Sequence, residues 1–169
     1  MSTVETWLGP FTVLVDEDGA VLASGWTGDA SVLVPLIHRR LRGAGDPVWR
    51  RDLGGVTRAV LDYHEGDLRA TQACDVRQHS DGQFLATAWK ALREVEPGSP
   101  ISYAQLADRT GSPTASRAAA QACARNAAAL FVPCHRIVRT DGSLGGFRWS
   151  IQTKQRLLAH ESGAAATRT

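Results

Sequence analysis

Residues 66–82 are polar, with Gly66 at one end and Gly82 at the other, and they divide the 169-residue chain into two modules of different character. Upstream, residues 3–8, 11–15 and 20–26 are short apolar stretches, separated by Gly9-Pro10 and by Asp16-Glu17-Asp18-Gly19. That pattern predicts an antiparallel meander. Val34, Ile37 and Leu41 recur at helical spacing and predict a helix over residues 30–41. After the break at Asp46-Pro47, Val56, Ala59, Val60 and Tyr63 predict another over 56–63.

Downstream the chain reads as helical. Leu85, Ala88, Trp89, Leu92 and Val95 form one face of a helix over 84–95, which Pro97-Gly98-Ser99-Pro100 stops. Residues 102–110 predict a short helix capped by Ser102. Gly111-Ser112-Pro113 is a turn, and an alanine-rich helix follows over 115–125. Helix, glycine-containing turn, helix is the outline of a helix-turn-helix. The expected fold class is α+β. A supporting domain over 1–80 has a small antiparallel sheet with helices, a mostly helical domain follows over 81–162, and a flexible tail spans 163–169.

Charge follows the same division. The net charge of +2 hides 8 Lys+Arg against 12 Asp+Glu in residues 1–83, and 10 against 5 in residues 84–161. A basic second half suits an anionic partner, although uneven solvated charge would give the same numbers. With 43% hydrophobic and 21% charged residues, the chain is neither disordered, collagen-like nor a coiled coil. The second helix of the pair has little with which to read base edges, because its middle is Ala118, Ala119, Ala120, Ala122 and Ala124. Such small side chains either pack tightly against another helix or let the backbone approach a minor groove.

The three cysteines, Cys74, Cys123 and Cys134, form no close pair, so no disulfide framework is expected. Without Cys-x-x-Cys or His-x-x-x-His spacing, no metal site is expected either. The first residues lack a basic start and an apolar core, and no apolar run approaches the ~20 residues of a membrane span. A reducing, cytoplasmic setting is expected, with no membrane partner. Cys134 stands between Pro133 and His135-Arg136, after the apolar run 127–132. Nearby positive charge favours thiolate, whereas burial in an apolar run makes a cysteine inert, and the residues alone leave both open. Ser150 caps a last helix over 151–161, on which Lys154, Leu157, Leu158 and Glu161 share one face. A carboxylate on a core-facing stripe needs a partner, and His135 is a candidate.

Pro133-Cys134-His135-Arg136-Ile137 resembles the active-site signature of the O6-alkylguanine-DNA alkyltransferases. Ile101-Ser102-Tyr103-Ala104-Gln105-Leu106-Ala107 resembles that family's first DNA-binding helix. Ser116-Arg117-Ala118-Ala119 with Asn126 resembles its recognition helix and the asparagine hinge after it, and Leu157-Leu158-Ala159-His160-Glu161 its closing helix. The similarity runs from about Phe84 to Glu161 and is nearest to the C-terminal domain of the bacterial adaptive-response protein. The first half is similar mainly in layout to the family's ribonuclease-H-like N-terminal domain.

The resemblance implies direct DNA repair. A monomer binds double-stranded DNA through the minor groove, and an O6-alkylguanine is flipped into a pocket. Cys134 takes the alkyl group once and for good, without a metal or organic cofactor. In the family's relay, His135 takes the thiol proton through a water, Glu161 stabilises the imidazole, and Tyr103 protonates the departing guanine. The resemblance implies that Tyr103, Arg117, Ala118 and Ala119 contact DNA, with Arg117 filling the gap in the stack. It implies a pocket of Asn126, Arg136, Ile137, Phe147, Arg148 and Trp149. Many relatives have a tyrosine where Phe147 stands and often a glycine where Trp149 stands, so a pocket suited to methyl rather than benzyl groups is expected. A lesion sensor, or a helix-turn-helix regulator with Cys134 as reporter thiol, is the competing reading. The presence of Cys134 argues against the sensor.

Overall fold

A computed structural model describes residues 1–43 and 45–163. The rest of the expected tail, 164–169, lies outside the described residues. The fold is mixed α+β, a three-stranded and a two-stranded sheet with five α-helices among the described residues. No helix among those residues is long and apolar enough to cross a membrane. The chain divides into two compact units, one of residues 1–80 with 127–131, the other of 81–126 with 132 onward.

The first unit is built on the meander. β1 (Ser2–Thr6), β2 (Gly9–Val15) and β3 (Val21–Gly25) pair antiparallel in that order, with Val4 opposite Phe11 and Thr12 opposite Gly25. Phe11, Val13 and Val21 are fully buried. The first turn is Trp7-Leu8 rather than Gly9-Pro10. The strand resumes at Gly9 because proline is tolerated near a strand's start, where few ladder hydrogen bonds are lost. The N-terminal edge is covered by residues 48–51, since Arg50 N–H donates to the Met1 carbonyl (2.8 Å) and Ser2 Oγ to that of Arg51 (3.2 Å).

The helix expected over 30–41 is instead three 3-10 turns, Ala30–Val32, Val34–Leu36 and Arg39–Leu41. Pro35 has no N–H to continue a helical ladder, and Ile37 and His38 are extended. Of Val34, Ile37 and Leu41 only Ile37 is buried, and Leu33 shares the burial with it, so the helical spacing does not mark the inward face. α1 (Gly55–Glu65) does form and buries Ala59, Val60 and Tyr63. Residues 75–77 run beside β3, with Val21 N–H donating to Asp75 and Arg77 N–H to Val21, both at 2.8 Å. The segment 127–131 also joins this unit. Ser24 Oγ donates to the Ala129 carbonyl (2.7 Å), and Ala128 forms an isolated parallel bridge with Ser24.

In the second unit, α2 (Gln83–Arg93) buries Ala88, Trp89 and Leu92, and Trp89 Nε1 donates to the Ala122 carbonyl (2.9 Å). Ser102 caps α3 (Tyr103–Arg109) reciprocally. Gln105 N–H donates to Ser102 Oγ (3.1 Å), and Ser102 N–H to Gln105 Oε1 (2.8 Å). α4 (Ser116–Ala124) follows the turn and completes the helix-turn-helix, with Ala119 and Ala122 in the core. β4 (Ile101–Ser102) and β5 (Ile137–Val138) form a short parallel pair. Two-residue strands leave no alternation to read, which is why the sequence does not announce them. α5 (Ile151–Glu161) starts at Ser150 and buries Lys154, Leu157 and Glu161.

Candidate active site

Cys134, His135 and Arg136 form a single 3-10 turn leading into β5, and all three are buried. The turn brings the residues after the cysteine against the C-terminal end of α5. His135 Nε2 lies 2.8 Å from Glu161 Oε1, with both side chains inaccessible to solvent. Arg136 donates to the same carboxylate from Nε (3.1 and 3.0 Å to its two oxygens) and from Nη2 (2.8 Å), and its Nη1 donates to the Val95 carbonyl (2.7 Å). Gly98 belongs to this arrangement for a steric reason. Its φ is +75°, and a Cβ there would stand 2.9 Å from the Glu161 carbonyl oxygen.

Asn126 follows Arg125, the residue that caps the C-terminus of α4. Its Nδ2 donates to the Val132 carbonyl (2.7 Å) and to Cys134 Sγ (3.2 Å). One side chain thus fixes both the backbone before the cysteine and the sulfur itself. Burial pushes the Cys134 thiol up; the Asn126 hydrogen bond, Lys154 and Arg148 act the other way without reversing it. Of the two readings that the sequence left open, a thiolate favoured by nearby positive charge and a buried thiol, the environment favours the thiol, with the Arg136 guanidinium turned onto Glu161 instead.

Burial pushes the His135 imidazole down; Glu161 pulls it up, Arg136 and Lys154 push it down further, and the net direction is down. Burial pushes the Glu161 carboxyl up, but the charges and hydrogen bonds of His135 and Arg136 carry it well below the ordinary carboxylate range. An ionised carboxylate only accepts, so neutral His135 presents Nε2–H to Glu161 and leaves Nδ1 as the basic nitrogen. Nδ1 is buried without a hydrogen-bond partner among the described residues.

These shifts have a consequence for stability. Both groups titrate lower in the folded chain than in the unfolded one. The stability they contribute is therefore present above the unfolded values, about 6.5 for histidine and about 4.3 for glutamate, and is lost as pH falls. Urea midpoints should decline from pH 7.5 to 5 and again below about 4.3. A flat profile would contradict the assigned charge states.

The remaining predicted site residues divide. Tyr103, the first residue of α3, lies against the loop after β5, where a Cβ on Gly145 would stand 2.3 Å from its hydroxyl. Burial raises the Tyr103 pKa, with Cys123 and Cys134 adding to the effect, so the phenol keeps its proton. The Phe147 ring meets His135 edge to face at 6.5 Å. Arg148 Nη2 donates to the Ala124 carbonyl at the end of α4 (2.7 Å), and Trp149 is half-buried. Of the other residues expected in the pocket, Arg136 donates its guanidinium N–H groups to Glu161 and Val95, and Ile137 is a fully buried residue of β5.

On α4, Arg117 is exposed and Ala118 half-buried, but Ala119 is fully buried. The outer face is Arg117, Ala120, Gln121 and Ala124, at i, i+3, i+4 and i+7. Ala119 is thus a packing residue rather than a DNA contact, because it falls on the inner stripe with Ala122. Lys154, to which the sequence reading gave no role, is fully buried, and its Nζ donates to the Ile137 carbonyl at 2.5 Å. Its signal was a cation on an otherwise core-facing stripe.

Residues 83–163 match the family model described as 6-O-methylguanine DNA methyltransferase, DNA binding domain. The chain is 40% identical over 107 residues to the bifunctional transcriptional activator/DNA repair enzyme Ada of Escherichia coli, covering 63% of this chain and 29% of that one. It thus spans less than a third of the Ada proteins it matches, 22% in the case of the regulatory protein ada of Salmonella typhimurium. With the methylated-DNA–protein-cysteine methyltransferase of Salmonella typhimurium it shares 31% identity over 159 residues, 94% of this chain and 92% of that one. The crystal structure of Mycobacterium tuberculosis OGT in complex with DNA superposes with a TM-score of 0.75 at 26% identity, over 96% of this chain and 92% of that one. By the relative matched along nearly its whole length, the chain belongs to the methylated-DNA–protein-cysteine methyltransferase family, the O6-alkylguanine-DNA alkyltransferases.

Proposed function

We propose that the chain repairs DNA directly, moving the alkyl group of an O6-alkylguanine, methyl above all, onto Cys134 Sγ once per molecule. The observation that carries this reading is a buried thiol hydrogen-bonded by Asn126, next to a histidine whose far nitrogen is engaged by an Arg136-clamped carboxylate. His135 Nδ1 takes the thiol proton through a water, and Glu161 offsets the charge that appears on the ring. The thiolate attacks the alkyl carbon as the bond from that carbon to O6 breaks. The electron pair leaves with the guanine, and the Tyr103 hydroxyl supplies its proton. The thioether has no route back to the thiol, so the protein is consumed. The reaction needs neither a metal nor an organic cofactor.

Double-stranded DNA is the partner, met by a single copy of the chain in a reducing cytoplasm. The outer face of α4 is small apart from Arg117 and Gln121, which suits close approach to a minor groove and tolerance of any sequence. Arg117 fills the place of the flipped base. Arg117→Ala is then expected to slow methyl transfer about tenfold or more, by losing part of the few kcal/mol that unstacking demands. Undamaged duplex should bind within about threefold of the unaltered protein at matched salt. Equal losses would contradict the wedge role.

Phe147 and Trp149 supply an aromatic wall without a hydroxyl. Inactivation by O6-methylguanine in DNA is expected to outpace that by O6-benzylguanine in the same sequence, and equal rates would contradict a methyl-sized pocket. The whole reading is tested by titrating a lesion-bearing oligonucleotide with protein. Repair should stop at one lesion per molecule, and continued turnover would exclude transfer to the protein.

A further inference from the structure

Lys154 is a fully buried cation whose hydrogen-bond partners are two carbonyls, Ile137 at 2.5 Å and Gly145 at 3.5 Å. Among the described residues no carboxylate pairs with it. Burying an ammonium without a counter-ion is costly, and carbonyl dipoles offset only part of the cost. The position lies on the inner stripe of α5 with Leu157, where leucine or methionine would pack without that penalty. A charge retained at such expense has another use.

The ionisable groups around it come from every neighbouring element. Cys134 comes from the nucleophile turn, Cys123 from α4 and Arg139 from the residue after β5, while His135 feels its charge as well. Arg139 repels it, and His135 is held neutral. The groups that can become anionic are the two thiols. Cys123 is pushed up by burial and by Cys134, whereas Cys134 already receives the Asn126 hydrogen bond and the charge of Arg148. Tyr103 stays protonated.

We propose that Lys154 is a positioning residue for the transfer reaction, its buried ammonium serving as the standing counter-charge for the Cys134 sulfur as that sulfur becomes anionic. The same Nζ ties two backbone segments of the site together. Ile137 lies three residues after the nucleophile, and Gly145 is the residue on which the Tyr103 hydroxyl rests. One side chain therefore serves both the charge of the attacking sulfur and the loop beside the proton donor. This inference rests on the transfer reading, but its test does not require DNA.

The full chain is compared with Lys154→Gln, which keeps N–H donors and loses the charge, and with Lys154→Arg, which keeps the charge. Iodoacetamide modification of Cys134 is followed against pH by peptide-resolved mass spectrometry, with thermal unfolding confirming each fold. Lys154→Gln is expected to displace the Cys134 profile upward by about one unit and lower its rate at neutral pH about tenfold, while Lys154→Arg recovers most of it. Methyl transfer from lesion DNA should fall in the same order. If Lys154→Gln does not fold, Lys154→Met takes its place with the same expectation. A neutral variant whose Cys134 profile coincides with that of the unaltered protein would overturn the proposal, as would recovery by glutamine and not by arginine. Failure of the unaltered protein to take up methyl from DNA would instead remove the transfer reading and leave the thiol comparison intact.

Discussion

Glu161→Ala is expected to cost about 3–5 kcal/mol of folding stability, because it strands two buried groups at once. The Arg136 guanidinium, almost fully buried, would keep only the Val95 carbonyl, and His135 would lose the acceptor at 2.8 Å that orients its ring. The alanine cannot collapse onto them, since the Glu161 backbone abuts Gly98. Methyl transfer should fall by about 10²-fold or more, the usual scale for removing a positioned acid–base partner. Glu161→Gln separates the two effects. It keeps the side chain's shape and an acceptor oxygen, so its stability loss should be smaller, while the rate loss should stay large because the charge opposite the imidazole is gone. A Glu161→Ala protein destabilised by less than about 1 kcal/mol would show that the triad is not the structural hub that its geometry describes.

The second large effect concerns Cys134 itself. Cys134→Ala is expected to abolish methyl transfer while leaving lesion-containing DNA bound as tightly as before, or more tightly in the absence of turnover. The residues expected to hold the DNA and the flipped base, Arg117, Tyr103 and Phe147, do not depend on the sulfur. Removing a small buried thiol leaves the Asn126 to Val132 hydrogen bond in place. Gel-shift affinity at fixed salt and a methyl-transfer assay on the same preparation read the two outcomes together. Transfer persisting in Cys134→Ala would move the acceptor to Cys123 or Cys74, the other two cysteines of the chain.

Much of this arrangement was legible in the sequence wherever local chemistry and periodicity agreed. The Ser102 cap forms as read, and Gln105 completes it reciprocally. The stripe Lys154, Leu157, Leu158, Glu161 placed a carboxylate on an inward face, and the structure sets His135 against it. What was not legible depended on contacts distant in sequence. Arg136 is adjacent to the nucleophile, yet its direction is decided by Glu161 and Val95, which are 25 and 41 positions away. The thiol's charge state was left open for the same reason, since His135 and Arg136 stand beside it in the chain without their direction being readable. Folding supplies Lys154 and Arg148 instead, in an environment whose burial outweighs them. Ala119 was misread because an all-alanine run does not show which of its faces is inward. Residues 30–41 had helical spacing, but Pro35 limits the ladder and the chain compromises with 3-10 turns. The five residues 127–131 join the first unit through hydrogen bonds to Ser24 and Gln78, which no local pattern announces.

The acidic-then-basic division of the chain gains meaning from these placements. The basic excess lies in the segment that carries α3, α4 and the nucleophile turn, and it includes Arg117 on the outer face of α4. Arg136 and Lys154 belong to the same excess but are spent inside, on Glu161 and on backbone carbonyls. Net charge alone would therefore overstate how much of this half meets DNA.

The most direct test is to mix the unaltered protein with an excess of duplex oligonucleotide bearing a single O6-methylguanine, digest it, and read the peptides by mass spectrometry. One methyl group per protein molecule is expected, on the peptide containing Cys134, with the peptides of Cys74 and Cys123 unchanged and guanine restored in the DNA. An unmodified Cys134 peptide beside DNA that still carries its lesion would contradict transfer to Cys134.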